Sequence, residues 1–195
     1  MIKSSKYLVG SGRVKVMRRV AFVGHSQVPH YLRVEGADVK IFRKPGGLLF
    51  SLETTPQMWK FTDEFWDIVV LWIGSNDVDL KVKANVITDE LVRITNFVAE
   101  KCNAVVQLVG IEPRRYPDLY PIISHVEYRR CAKAVTKKLK RLLPYNRVLD
   151  LLGYPSECLD HDGVHFTLEG KLWIENKIRE NIVRQIEEWA EAGLE

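Results

Sequence analysis

Six apolar residues stand in a row from Ile68 to Ile73, between Asp67 and the turn-forming Gly74-Ser75-Asn76-Asp77. A strand built from such a run has no polar face to turn toward water, so it must be covered on both sides. Sheets covered on both sides are parallel sheets with helices on each face. Val20 to Val23 has the same character and runs straight into Gly24-His25-Ser26. Asp38 to Phe42 alternates and reads as another strand, stopped by the turn signal Arg43-Lys44-Pro45-Gly46-Gly47.

Elsewhere the period lengthens. Val86, Ile87, Leu91, Ile94, Phe97 and Val98 recur at helical spacing and predict a helix over residues 85–101. Residues 104–111 read as a strand closed by Glu112-Pro113-Arg114-Arg115. Ser124 is a candidate N-cap for a helix over 126–143, which Pro144 ends. A short fifth strand at 147–150 and a long charged helix over 168–192 complete the pattern. Short helices are expected at 28–34 and 56–64. Alternating strands and helices predict a parallel α/β sheet joined by right-handed crossovers. Residues 1–18 are basic and without a clean period, and read as a loose arm with a short strand at Tyr7-Leu8-Val9. Residues 19–192 read as a single domain.

Composition narrows the class. A hydrophobic share of 46% with 28% charged residues is globular usage and excludes disordered and fibrous chains. The three cysteines, Cys102, Cys131 and Cys158, have no metal-ligand spacing and read as reduced thiols. That fits a reducing compartment. No run reaches the roughly 18 apolar residues of a membrane helix. No apolar signal core follows the basic start, so the expectation is an intracellular protein, cytoplasmic or nuclear.

In a parallel sheet the loops after successive strands share one edge, where ligands bind. Those loops bring Ser26, Gly46-Gly47 and Asn76 toward one another, and Asp162-Gly163-Val164-His165 can reach the same edge. A serine hydroxyl needs a base to become a nucleophile, and histidine is the usual base near neutral pH. The imidazole in turn needs a carboxylate to hold its tautomer. Asp162 and His165 are three residues apart, so one turn can bring both to the site. An oxyanion needs preorganised donors. Candidates are the backbone N–H of Ser26, that of Gly46 or Gly47, and the Asn76 amide. Asp160 is the alternative acid. A zinc site built from His25, His161, His165 and Asp162 lacks a local metal motif. His30 and His125 read as surface or capping residues.

Taken in order, Gly24-His25-Ser26, the glycine turn, Gly74-Ser75-Asn76-Asp77 and Asp162-Gly163-Val164-His165 resemble the blocks of the SGNH (GDSL-like) hydrolase superfamily. The resemblance spans nearly the whole chain. It implies a flavodoxin-like three-layer sandwich with a five-stranded parallel sheet, and ester hydrolysis through an acyl-enzyme with neither metal nor cofactor. By position it implies Ser26 as nucleophile, His165 as base and Asp162 as its orienting acid. Gly47 or Gly46 and Asn76 would complete the oxyanion hole, with the glycine block matching least. The family's Gly-Asp-Ser is Gly-His-Ser here, and His25 would keep the turn through a ring N–H or alter access. The chain is also similar to esterase-like domains of animal mobile-element-derived proteins.

The implied partner is an acyl ester: a small molecule, a lipid or an acylated sugar. An acyltransferase would use the same acyl-enzyme. Trp59, Phe61, Phe65 and Trp66, after the glycine turn, are candidates for an acyl pocket. Four positive charges lie in residues 13–19 and seven in 129–141, within a net charge of +4. They read as solvated faces, or as a patch for nucleic acid or an anionic membrane. The second function class is therefore a catalytically degenerate binding module of a mobile-element protein.

Overall fold

The computed structural model describes residues 5–8, 14–49, 60–112, 114–115, 123–144, 147–151 and 153–193. Strand β1 (Ser5–Leu8) pairs antiparallel with the start of β2 (Val14–Gly24). From Arg18 onward β2 is flanked by β3 (Ala37–Arg43) and β4 (Ile68–Trp72), both parallel to it. Beyond β4 come β5 (Val105–Val109) and the edge strand β6 (Val148–Leu149), again parallel. The order β3-β2-β4-β5-β6 is the expected five-stranded parallel sheet. Its flanking helices are α2 (Ala84–Cys102), α3 (His125–Leu142) and α4 (Leu168–Glu191), and a one-turn helix α1 (Ser75–Asp79) follows β4.

The apolar runs explain the layering. Successive side chains of a strand face opposite ways. Ala21, Val23, Val69 and Leu71 therefore pack with Ile87, Leu91 and Ile94 of α2 and Tyr128, Val135 and Leu139 of α3. Val20, Phe22, Val70 and Trp72 pack on the other face with Ile174, Ile178 and Ile182 of α4. All five residues of β4 are buried. Each fully buried isoleucine of α4 contributes about 1.5–3 kcal/mol, which docks a helix whose outer face is charged. The helix starts also follow from local chemistry. Ser124 Oγ accepts from Glu127 N at 3.2 Å, and Glu127 reaches back to Ser124 N, a reciprocal cap. Thr167 Oγ1 caps α4 by accepting from Gly170 N at 3.1 Å.

Two expectations are corrected. The strand expected from residue 19 begins at Val14, and no helix forms at 28–34. In that connection Val28, Leu32 and Val34 are all buried on the α4 face. A helix would turn Val34 roughly 200° away from Leu32, so an irregular path buries more. Of the expected helix at 56–64, only a 3-10 turn at Lys60–Asp63 lies within the described residues.

Candidate active site

Gly24, the last residue of β2, pairs with the last residues of both neighbouring strands, Arg43 and Trp72. A Cβ on Gly24 would stand 2.1 Å from the Trp72 carbonyl oxygen, so only glycine lets β2 end this close to β4. Past it the chain turns, with His25 N donating to Trp72 O at 3.2 Å. His25 goes inward and is fully buried, while Ser26 stays partly exposed at the sheet edge.

His25 keeps the turn by accepting rather than donating. Its Nδ1 accepts from Gln27 N at 3.3 Å. The ring hydrogen is then on Nε2, which faces Ser75 Oγ at 3.1 Å and Glu112 Oε1 at 3.5 Å. Because Ser75 precedes Asn76, this contact joins the turn after β2 to the turn after β4.

The Asp162–His165 loop is self-ordering. Asp162 Oδ1 accepts from Val164 N and His165 N, each at 2.8 Å. Asp162 Oδ2 meets His165 Nδ1 at 2.5 Å. Burial would raise the Asp162 carboxyl, but the His165 ring and the two backbone N–H groups outweigh it and hold it at about 2. The alternative acid, Asp160, pairs with its neighbour instead, Oδ1 to His161 Nδ1 at 2.6 Å. Gly163 lies against the chain after β5: a Cβ there would fall 1.4 Å from Arg115 O, and Arg115 N donates to Gly163 O at 2.7 Å.

One tether draws this loop and the serine turn together, and a second holds the serine turn to the sheet. Gln27 Nε2 donates to Val164 O at 3.0 Å. From the end of β3, Arg43 Nη2 donates to Ser26 O at 2.7 Å. Among the described residues no hydrogen bond joins the Ser26 hydroxyl to the His165 ring. Catalytic hydrogen bonds are often made only once substrate is bound.

Asn76 is held at both ends of its amide, Nδ2 donating to Gly47 O at 3.0 Å and Oδ1 accepting from Arg114 Nη2 at 3.1 Å. The two candidate glycines differ. Gly47 N donates to Lys44 O at 3.0 Å, so its N–H is committed to a turn. Gly46 N has no such bond among the described residues. Behind Asn76 the carboxylate of Asp77 accepts from Leu49 N at 3.1 Å, and burial pushes its carboxyl up to about 6.

A cavity of about 320 Å³ opens beside Ser26, lined by Val28, Tyr31, Arg43, Phe166 and Ile174 among others. The aromatics proposed from sequence for an acyl pocket are elsewhere. Phe61 and Trp66 are buried, with Phe42 5.8 and 5.9 Å from their rings, on the face packed by α2 and α3. Phe65 is exposed, and Trp59 lies outside the described residues. Position just after the glycine turn says nothing of which sheet face a side chain joins. Sequence reasoning also passes over Gln27, Arg43, Glu112 and Arg114. Opposite charges directly after a buried strand were the available signal for the last two; Gln27 offered none.

No family profile and no curated protein matches the sequence. Solved structures do match. The lipase/acylhydrolase from Enterococcus faecalis superposes with a TM-score of 0.65 at 21% identity, over 85% of this chain and 95% of that one. A candidate SGNH hydrolase from Slackia heliotrinireducens gives 0.67 at 16% identity, over 85% and 99%. A carbohydrate esterase family 3 protein from Talaromyces cellulolyticus gives 0.65 at 16%, over 88% and 99%. The fold is therefore the α/β fold of the SGNH hydrolases.

Proposed function

We propose that the chain is a serine esterase that cleaves acyl esters through Ser26, His165 and Asp162. The observation that carries this reading is the Asp162–His165 pair, tethered through Gln27 to the serine turn at the carboxyl edge of the sheet. Ser26 Oγ attacks the ester carbonyl carbon as His165 Nε2 takes its proton. The oxyanion is met by Ser26 N–H, Gly46 N–H and the free hydrogen of Asn76 Nδ2. Gly46 suits this role better than Gly47, whose N–H is already bonded. The tetrahedral intermediate collapses, and the alcohol leaves with the proton from His165. Water, deprotonated by the same ring, attacks the acyl-enzyme and restores Ser26. An alcohol in place of that water would make the enzyme an acyltransferase.

The named neighbours, a lipase/acylhydrolase and a carbohydrate esterase, support ester chemistry for this chain. A cavity of about 320 Å³ beside Ser26 offers room for an acyl group. The free thiols Cys102, Cys131 and Cys158 favour an intracellular site of action, and no described helix is long and apolar enough to cross a membrane. Ser26→Ala is expected to reduce hydrolysis of a short-chain aryl ester by on the order of 10⁴-fold or more with an unchanged circular dichroism spectrum. Undiminished turnover rejects Ser26 as nucleophile.

One observation favours the second reading, a catalytically degenerate module that binds an anionic partner. Lys133, Lys137, Lys140 and Arg141 of α3 line a hollow of about 550 Å³ with Asp150. Salt-dependent retention on nucleic acid, with no labelling of Ser26 by an organophosphonate, would favour the module over the esterase.

A further inference from the structure

We propose that Arg114, braced by Glu112 and His25, is a positioning residue that fixes the Asn76 amide in the one orientation in which it can serve as an oxyanion donor. The inference rests on the esterase reading and adds to it a support built from three residues outside the triad.

A side-chain amide has two orientations that differ by exchanging its oxygen and nitrogen. Both neighbours of Asn76 select the same one. A guanidinium can only donate, so the atom 3.1 Å from Arg114 Nη2 is Oδ1. A carbonyl can only accept, so the atom 3.0 Å from Gly47 O is Nδ2. Nδ2 keeps one hydrogen, which is left for the ligand. Flipping the amide would face its NH₂ toward the guanidinium and its oxygen toward a carbonyl.

Arg114 is itself held firmly. It is 3% exposed, and its Nη2 also donates to Ser75 Oγ at 3.0 Å and Glu112 Oε1 at 3.1 Å. Its Nη1 pairs with Asp79. Glu112 is fully buried, and its second oxygen accepts from Trp72 Nε1 at 3.0 Å. Burial alone would raise the Glu112 carboxyl; His25 and Arg114 outweigh it and hold it well below the usual carboxylate range. The chain of contacts thus runs from the residue beside Ser26 to the amide across the site: His25, Glu112, Arg114, Asn76.

This arrangement accounts for Gly-His-Ser in place of Gly-Asp-Ser. An ionised aspartate at position 25 would have no hydrogen to donate and would add a second negative charge to the buried surroundings of Glu112. A histidine there instead offers Glu112 a ring N–H.

The test is a double-mutant cycle on hydrolysis of a short-chain aryl ester. Arg114→Met is expected to lower kcat on the order of 10²-fold, as loss of an oxyanion donor does, with KM within about twofold and the pH profile unchanged in shape. In an Asn76→Ala background the same substitution should cost less than about threefold, because the amide it positions is gone. Full additivity overturns the proposal. If Arg114→Met does not fold, Glu112→Gln replaces it, with the same expected pattern and the same overturning result.

A second measurement does not depend on turnover. Nuclear magnetic resonance of the Asn76 side-chain NH₂ should show one proton, that bonded to Gly47 O, exchanging slowly with solvent in the unaltered protein. Glu112→Gln or Arg114→Met should accelerate its exchange. Unchanged exchange overturns the proposal even if the enzyme is active. Failure of the Ser26→Ala test would sink the esterase reading alone and leave this readout to decide the positioning.

Discussion

Asp162 and His165 meet across three residues of an exposed loop, whereas Asn76 is oriented by Arg114, 38 residues away and almost fully buried. The His165 side chain is 57% exposed; that of Glu112 is 0% exposed. The first arrangement needs only its own turn, since Asp162 binds two backbone N–H groups and the ring together. The second exists only when β2, β4 and β5 are aligned, because each contributes the residues just past its end. A local exposed pair is inexpensive to form and stabilises little. A buried charged network is costly to leave half-made. The two sides of the site should therefore respond differently to damage.

The largest separation is expected from Asp162→Asn. On the proposed reading Asp162 orients His165, so its loss should reduce kcat on the order of 10⁴-fold, while Tm stays within a few degrees because the pair is exposed. A large fall in Tm would break the comparison by making this loop structural. Next comes Glu112→Ala, which strips the buried partner from Arg114 and His25. It should cost about 3–5 kcal/mol in a urea titration. A stability equal to that of the unaltered protein would show that the network is not what holds these turns.

A third effect concerns pH. Asp77, raised to about 6 by burial, binds its proton more tightly in the folded chain than in the unfolded one, where a carboxyl titrates near its ordinary 3.8. Stability from this group is full at low pH and declines as pH rises from about 4 to 6. Glu112 acts in the opposite sense. Its depressed carboxyl stabilises the fold above the ordinary carboxylate range, and that contribution is lost as pH falls below it. Asp77→Asn should remove the decline between about pH 4 and 6 and leave the acid limb, as read by Tm against pH. A decline that survives the substitution would assign it to another group. The smallest effect is expected from Gln27→Leu, which removes one tether and about 1 kcal/mol. Its kcat should fall more than its stability suggests, since the serine turn and the histidine loop are then joined less tightly. An unchanged kcat would show that the tether does not position them.

The frame of the fold is legible in the sequence because the strands advertise themselves. The unbroken run ending at Ile73 can only be a strand covered on both sides, and β4 is fully buried. The Ser124 cap is equally readable, since its partner Glu127 is three residues on. So is the pairing of Asp162 with His165, another short-range relation. What escapes is long-range or face-dependent. Phe61 and Trp66 follow the glycine turn in sequence yet join the core beneath α2 and α3. Residues 28–34 read as a helix from their place after the serine turn, yet Val28, Leu32 and Val34 lie along an irregular path that buries all three. Arg114 reaches Asn76 only because the turns after β4 and β5 lie side by side. No local pattern specifies which polar residue beyond one strand will meet which residue beyond the next.

The bond from Gln27 to Val164 spans 137 residues of chain. A ribosome adding about 5–20 residues per second makes the serine turn many seconds before the histidine loop exists. During that interval the nascent chain carries Ser26 without His165 and without the tether between their turns. On the proposed reading, the growing polypeptide is chemically silent, and competence arrives late, when the histidine loop and α4 dock on the sheet.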